Sequence, residues 1–549
     1  MSDRALASPS PHLRLVARHP PSTEAVRGEG AAVDLARELA GDERLAADRR
    51  LQDLCARRLE PAPALLLGDL HEPAGSAPRS RRAAWIQQRA RSRAGDGDFV
   101  AAWHPPEPAW ERYCAHSLGL GEPRWLHPHP AQRAPRLPTD CWIDRRVRGE
   151  LVAALRADRL RYLHPYQATQ PVWQLARLLR ATSGRRVEVV GPPPGLSACV
   201  NDKVWFARQV RRLFGSRYLP PTQSAANLAT AAHVVKGLAA TSRSVVVKLP
   251  DASGGTGNLV IDVAEIRGRP LGELRAWLRT LLSPLGWHGE SELLVGGWES
   301  DVLQSPSSQI WIPPRGEGAP VIEGVFEQIV GGRRGEFIGA RPAHLPERIL
   351  GDAVDHTWLL ARLFQELGYV GRCSFDLLLV GTTLADSRVE LIECNGRWGG
   401  TSLPLSLVHR LTDGASWPPL AVPSFTVRSF TVPGLERLGA AEVLGCLEPE
   451  LYTRERRQRR LVLFNMVGDE RRRDITALAF GDDALERDEY LTRAVIGPLE
   501  RLAAAAAGPS GQSGSTVASS SGSISSTEAS GISRHSSCEI GSEATTAAR

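Results

Sequence analysis

Lysine is almost missing from this 549-residue chain: of 67 basic residues only Lys203, Lys236 and Lys248 are lysine. Arginine fills nearly every other cationic position, so a surviving lysine marks a place where a compact ammonium is wanted. The wide guanidinium fork does not replace it at a point-charge phosphate contact. Paired cysteines are missing too. The eight (Cys55, Cys114, Cys141, Cys199, Cys373, Cys394, Cys446, Cys538) are scattered, with no CxxC and no histidine at zinc spacing, which argues against a disulfide framework or a zinc site. No run of 18 apolar residues occurs, and the opening MSDRALASPSPHLRLVARHP lacks the apolar segment of a secretory signal. A cytoplasmic protein with no membrane partner is expected. Concentrated charge is also absent. The net +6 is spread out, the arginine-rich stretches at 454–460 and 471–473 are interleaved or flanked with acids, and no nucleic-acid module is visible. No nucleic-acid partner is expected.

What is present is an ordinary globular composition, 42% hydrophobic and 23% charged, on a chain too long for one core. Residues 1–40, rich in Pro, Ser, Ala and Arg, read as a disordered arm. Residues 41–195 read as a small parallel α/β domain: a helix at 39–59, then apolar runs at 64–70, 98–105, 159–167 and 187–194 as strands, with helices at 110–120 and 170–181 between them. A second domain is expected at 196–415, with a lid at about 220–290, followed by a C-terminal α/β extension at 416–507. That extension should hold a strand FTVRSFTV, helices near Ala440 and Tyr452, a strand LVLFNMV and a last helix at 482–507. The Ser/Gly-rich 508–549 reads as a disordered tail.

Chemistry concentrates in residues 371–404, GRCSFDLLLVGTTLADSRVELIECNGRWGGTSLP. Two apolar runs flank a turn-rich cluster, the pattern of a β-hairpin. If Val380 faces Val389, Asp376 stands opposite Glu393. Glu393 and Asn395, two residues apart, then share a face with it. Two carboxylates about 5 Å apart across a ladder repel unless a cation lies between them. Asp, Glu and Asn supply hard oxygens, which suit Mg²⁺ bound together with substrate phosphates. An edge hairpin with its acids in solvent is the bland alternative, and the upstream lysines weigh against it. Lys203 opens a helix behind Asn201 and Asp202, and Lys248 ends the strand SVVVK. The loop LPDASGGTGN that follows carries Ser253, Gly254, Gly255, Thr256 and Gly257, whose backbone N–H groups can approach phosphate closely. It leads into a strand and no GK[ST] follows, so it is neither a Walker A loop nor a Rossmann fingerprint. Leu294 and Val295 are placed at an adenine pocket, with Glu299 or Asp301 for the ribose.

Lys203 before a helix, Lys248 on a strand, the glycine-rich turn, Asp376 and then ECNGRWGG, in that order, resemble the ATP-grasp superfamily of carboxylate-amine ligases over about residues 195–410. ECNGRWGGTSLP looks closest to the peptide-ligase branch related to the pheganomycin-forming ligase. The resemblance implies an ATP-grasp fold of class α/β (α+β) behind a small pre-ATP-grasp domain. It implies that Lys203 and Lys248 contact phosphates, and that Asp376, Glu393 and Asn395 hold Mg²⁺, with Mn²⁺ as a substitute. Arg397 would contact the transferred phosphate or acyl phosphate. The expected reaction joins a small acid to an amine, such as an amino acid or peptide, through an acyl phosphate, releasing ADP and phosphate; a homodimer is admitted. A kinase, a carboxylase or thiol ligase, and a non-catalytic nucleotide-binding scaffold stay open as alternatives.

Overall fold

The computed structural model describes residues 19–68, 70, 87–131, 136–251, 257–289, 291–331, 336–411, 424–469, 472–481 and 483–507. The chain enters through helix α1 (Thr23–Leu39), which Ser22 caps by accepting from the Ala25 N–H. Three sheets follow among the described residues. The first is parallel, in the order β3-β2-β1-β4-β5, with β1 (Ala64–Leu67), β2 (Phe99–Ala101), β3 (Arg124–Leu126), β4 (Tyr162–Pro165) and β5 (Glu188–Val189). Covered on both faces, its inner strands are short continuous apolar runs, and that is why they stood out in the sequence. Helix α2 (Gln170–Ser183) leaves the β4 end of this sheet and stops at Gly184, which supplies the left-handed residue, φ 69°. Helices α3 (Pro194–Asn201) and α4 (Lys203–Phe214) then carry the chain out of the domain. Asp202 caps α4 by accepting from the Val204 and Trp205 N–H groups.

The second sheet is a small antiparallel one, β6-β9-β7-β8, built from β6 (Thr222–Ala225), β7 (Ser244–Lys248), β8 (Asn258–Asp262) and β9 (Leu293–Gly297). Helices α5 (Leu228–Leu238) and α6 (Leu271–Leu282) cover one face, with Val245, Val247, Ile261 and Val295 in their shared core. The two glycines ending β9 are there for close approach. A Cβ on Gly296 would lie 2.8 Å from Thr222 Cγ2, and one on Gly297 would lie 2.7 Å from Ser242 Oγ.

The third sheet is long and antiparallel: β15-β14-β11-β12-β13-β16-β18-β17, with short β10 (Val302–Gln304) also on β14. Its strands are β11 (Pro306–Ile312), β12 (Val321–Gly331), β13 (Glu336–Pro342), β14 (Gly371–Val380), β15 (Arg388–Asn395), β16 (Phe425–Thr431), β17 (Leu461–Asp469) and β18 (Arg472–Phe480). Helix α7 (Glu347–Glu366) packs on one face together with α1 and α4. Phe375, Leu377, Leu391 and Cys394 of the hairpin meet Phe206 and Phe364 there. The strands of 425–480 thus continue the sheet that carries the hairpin, joined at the seam Gly339↔Arg428 and Ala340↔Val427.

Several expectations need correction. Residues 23–39, expected in a disordered arm, form α1, because Ala25, Ala32, Leu35, Ala36 and Leu39 make a helical stripe buried on the α7 side; small alanines diluted that stripe in the sequence. The expected helix at 39–59 is a single turn (Glu43–Ala46) followed by a 3₁₀ stretch (Ala47–Leu54). No helix forms at Tyr452. The following TRERRQRR has no apolar stripe to bury, and Leu451 bridges to Leu461 instead. The last helix forms as expected, running through α8 (Ala484–Leu491) and α9 (Gly497–Ala506) with one π-helical turn at Thr492–Ile496 between them. The expected tail at 508–549 lies outside the described residues.

Candidate active site

Asp376 pairs with Glu393, and Ser374 with Asn395, on the ladder of β14 and β15. Nearer the turn the register changes by one residue: Leu377 pairs with Leu391 and Val380 with Arg388, so the supposed Val380–Val389 pair does not form. A β-bulge at Ile392 takes up the difference. Leu391 and Cys394 point into the apolar core, which leaves Glu390, Glu393 and Asn395 together on the opposite face.

That face is polar and its members are tied to one another. Asn395 Nδ2 donates to Asp376 Oδ2 at 2.9 Å, leaving the Asn395 amide oxygen for another partner. Ser307 Oγ on β11 donates to Asp376 Oδ1 at 2.8 Å and accepts from Gln309 Nε2 at 3.0 Å, and Gln328 on β12 also bonds Asp376. Burial, then the neighbouring Glu393 charge, push the Asp376 carboxyl up to about 6. Glu393 goes the other way. Burial would raise it, but Lys203, whose Nζ lies 2.9 Å from Glu393 Oε2, holds it below the usual carboxylate range with help from Lys248 and Arg397.

Lys248 ends β7, beside Leu294 of β9 in the small sheet. Its ammonium makes no hydrogen bond or ion pair among the described residues, and burial pushes it down to about 8. The Pro250 carbonyl accepts from the Lys203 N–H at 3.0 Å, so the strand end that presents one lysine is tied to the helix start that presents the other. Gly257 closes the loop by accepting from the Leu249 N–H at 2.9 Å; Ser253, Gly254, Gly255 and Thr256 lie outside the described residues.

Arg397 follows the strand. Its Nη1 donates to Asn201 Oδ1 at 2.9 Å, and the same oxygen accepts from the Gly396 N–H at 3.0 Å. Of the two residues before Lys203, Asp202 caps the helix and Asn201 holds the arginine, a contact 196 residues apart that local sequence could not announce. On the other flank the Trp398 N–H donates to the Tyr166 carbonyl at 3.0 Å. The Trp398 indole lies between the buried guanidiniums of Arg93 and Arg372, each 4.6 Å from its ring centroid. Arg372 is paired in turn with buried Glu323.

Two expected nucleotide contacts are revised. Leu294 and Val295 alternate faces, so only Leu294 lies on the side of Lys248, while the Val295 side chain is in the core under α5 and α6. Glu299 is not free for a ribose: it pairs with Arg388 at 3.0 Å, and Arg388 Nε donates to buried Glu390 at 2.8 Å. Lys236 is exposed and donates to the Arg269 carbonyl at 2.7 Å, away from the two site lysines.

The donor set fits Mg²⁺. Two half-buried carboxylates and an amide oxygen on one face are hard ligands, too few to fill a shell alone, as suits an ion that keeps waters and phosphate oxygens. Among the described residues no cluster of three or more His, Cys, Asp or Glu offers a competing metal site. Beside the set lies a cavity of about 490 Å³, with Lys203, Asn395 and Arg397 on one wall and the first residues of α2 and α3 on the other.

Comparison with known proteins adds the following. Residues 87–181 match the model of the Pre ATP-grasp domain. Among solved structures, biotin carboxylase from Campylobacter jejuni, described as a β,γ-ATP complex, aligns at 11% identity and a TM-score of 0.49 over 81% of this chain and 95% of its own. N5-carboxyaminoimidazole synthetase from Staphylococcus aureus, complexed with ADP, aligns at 12% and 0.46 over 80% and 99%. The N5-carboxyaminoimidazole ribonucleotide synthetase of Thermus thermophilus aligns at 14% and 0.46 over 79% and 98%. No curated protein matches the sequence. No helix among the described residues is long and apolar enough to cross a membrane. The chain has a mixed α/β fold in which a parallel sheet, much of it within the stretch that matches the Pre ATP-grasp model, precedes two antiparallel sheets.

Proposed function

We propose that this protein is an ATP-dependent ligase that joins a carboxylate to an amine through an acyl phosphate, releasing ADP and phosphate, with peptide-bond formation as its specific outcome. The observation that carries this reading is Lys248, an ammonium with no hydrogen bond or ion pair among the described residues, in the charge field of Glu393, a member of the oxygen set, and of Glu390 on the same face. A cation left unpaired beside an anionic metal site suits a phosphate chain held between the two.

The residues divide the work by place. Asp376, Glu393 and Asn395 would hold Mg²⁺, which when bound supplies charge neutralisation at phosphate oxygens. Lys203 and Lys248 bind phosphate oxygens as point charges. Arg397, held by Asn201, faces the cavity next to the set and would stabilise charge on the group being transferred. A substrate carboxylate oxygen attacks the γ-phosphorus, and the bond to the ADP oxygen breaks. An amine then attacks the acyl carbon, phosphate leaves, and the amine loses a proton to give the amide. Phosphoryl transfer asks mainly for position and electrostatics, and fixed side chains provide both.

Phosphorus NMR of Mg-ATP with the protein and pooled amino acids, short peptides and small acids tests the reading, with Glu393→Gln alongside. ADP and phosphate should form only with the natural chain and only when both an acid and an amine are present. Formation of AMP and pyrophosphate, or of ADP without any amine requirement, would overturn it.

A further inference from the structure

The 490 Å³ cavity lies at the carboxyl ends of the parallel strands, where open α/β sheets take their ligands, and one of its walls carries Glu393, Asn395 and Arg397. The charge on the opposite wall is one-sided. That wall, from the Pre ATP-grasp side, contributes no Asp or Glu; apart from Glu393 of the oxygen set, the one acid lining the cavity is Asp251, an exposed residue just past β7. It does contribute Arg136, half-buried, whose guanidinium makes no hydrogen bond or ion pair among the described residues. Gln170 and Gln174, one turn apart on α2, present neutral amides to the same space, and Ser197 of α3 adds a hydroxyl. An ammonium on that wall would meet Arg136 with no carboxylate to balance it. A carboxylate there would meet a guanidinium whose donors are unspent, in the geometry the fork matches two oxygens at a time.

Resting on the ligase reading, we infer that this cavity holds the acid substrate and that the acid is a dicarboxylate. One carboxylate is presented to Arg397 and the oxygen set for activation, and the second is received by Arg136. The body between them is polar and uncharged, facing the Gln170 and Gln174 amides, and the volume admits a molecule of about dipeptide size. The amine then enters from the side of Asp251, after the acid is seated.

Calorimetry in the presence of saturating MgADP tests this with two matched pairs that differ by one carboxylate turned to a carboxamide: N-acetylglutamate against N-acetylglutamine, and glutarate against glutaramate. The dianions should bind about tenfold or more tighter than their amides, the usual worth of a hydrogen bond to a charged group. Arg136→Gln should bring each pair to within about twofold, Arg136→Lys should keep part of the preference, and both variants should bind MgADP as the natural chain does. Equal binding within the pairs, no binding of either pair member alongside normal MgADP binding, or a preference that survives Arg136→Gln overturns the inference and leaves the ligase reading standing. A natural chain that fails to bind MgADP overturns the ligase reading itself, and the inference with it.

Discussion

The Asn201 side chain reaches from the end of α3 to the far side of the hairpin and accepts from both Arg397 Nη1, at 2.9 Å, and the Gly396 N–H, at 3.0 Å. Its own amide is fixed by donating to the Ser197 carbonyl at 2.7 Å, so the oxygen cannot swing away. Asn201→Leu should leave Arg397 present and misplaced. The expected result is a fall in turnover of about a hundredfold, the scale of an ångström-sized misplacement, with ADP affinity unchanged. Asn201→Asp keeps the acceptor and should lose much less. Parallel turnover and ADP calorimetry separate the two, and equal loss of both quantities in Asn201→Leu would mean a folding defect.

Glu393→Gln keeps the shape of the site and removes one of its two carboxylate charges. Turnover should drop by about a hundredfold or more, the cost of losing one strong electrostatic stabiliser. Magnesium-dependent ADP affinity should fall with it, while metal-free ADP binding stays. Near-normal turnover in this variant would remove Glu393 from the metal set.

The Lys248 ammonium carries a pH signature. Its folded value is about 8, below the 10.5 of an unburied lysine, because burial disfavours the charge. Between pH 8 and 10.5 the unfolded chain therefore holds more protons, and this group's contribution to stability rises with pH across that window and is least below 8. Nucleotide phosphates reverse the local preference, so ADP binding at about pH 8.5 should take up a proton. Calorimetry in buffers of different ionisation enthalpy measures that uptake, and Lys248→Met should abolish it.

The Trp398 indole packs between two buried guanidiniums and against the apolar cluster of the C-terminal strands. Trp398→Ala should cost about 3–5 kcal/mol, the range for emptying a large aromatic site, read from urea unfolding. Trp398→Phe retains part of the stacking and should cost clearly less. Equal losses would assign the effect to the missing indole nitrogen and not to ring stacking.

Gly339 lies where β13 meets β16. A Cβ there would be 2.1 Å from the Val427 carbonyl oxygen, a backbone atom held by the β16–β18 ladder. Gly339→Ala should therefore destabilise the protein by about 1–3 kcal/mol or more, the scale of core overpacking, and a thermal melt checks it. An unchanged melt would mean that the seam relaxes.

The sequence was most readable where one strand's alternation carried the information. The shared face of Glu393 with Asn395 follows from the two-residue period, and both lysines stand at element ends that punctuation marks, whereas Asp376 meets Glu393 through the bulge at Ile392 and not through the expected Val380–Val389 register. It was least readable where a contact joins distant segments. Nothing near Asn201 foretells Arg397, nothing near Arg136 foretells the cavity, and Trp398 finds Arg93 and Arg372 only once the first and third sheets meet. Val295 departs from its expected place for a simpler reason: neighbouring residues on a strand cannot both face one ligand, and Leu294 has that side.

The extra residue at Ile392 uncouples the two ends of one hairpin. In an unbroken ladder the parity of every side chain is set by the turn, so a slip of one residue at 381–387 would carry Glu393 from the cleft into the core. Here the phase is reset between the turn and the acids. The end that carries the acids takes its alignment from β11, through Ser307 opposite Asp376, while the turn end is free to follow Arg388 and Glu299. The strand behaves as two short rulers laid end to end, each zeroed on a different neighbour.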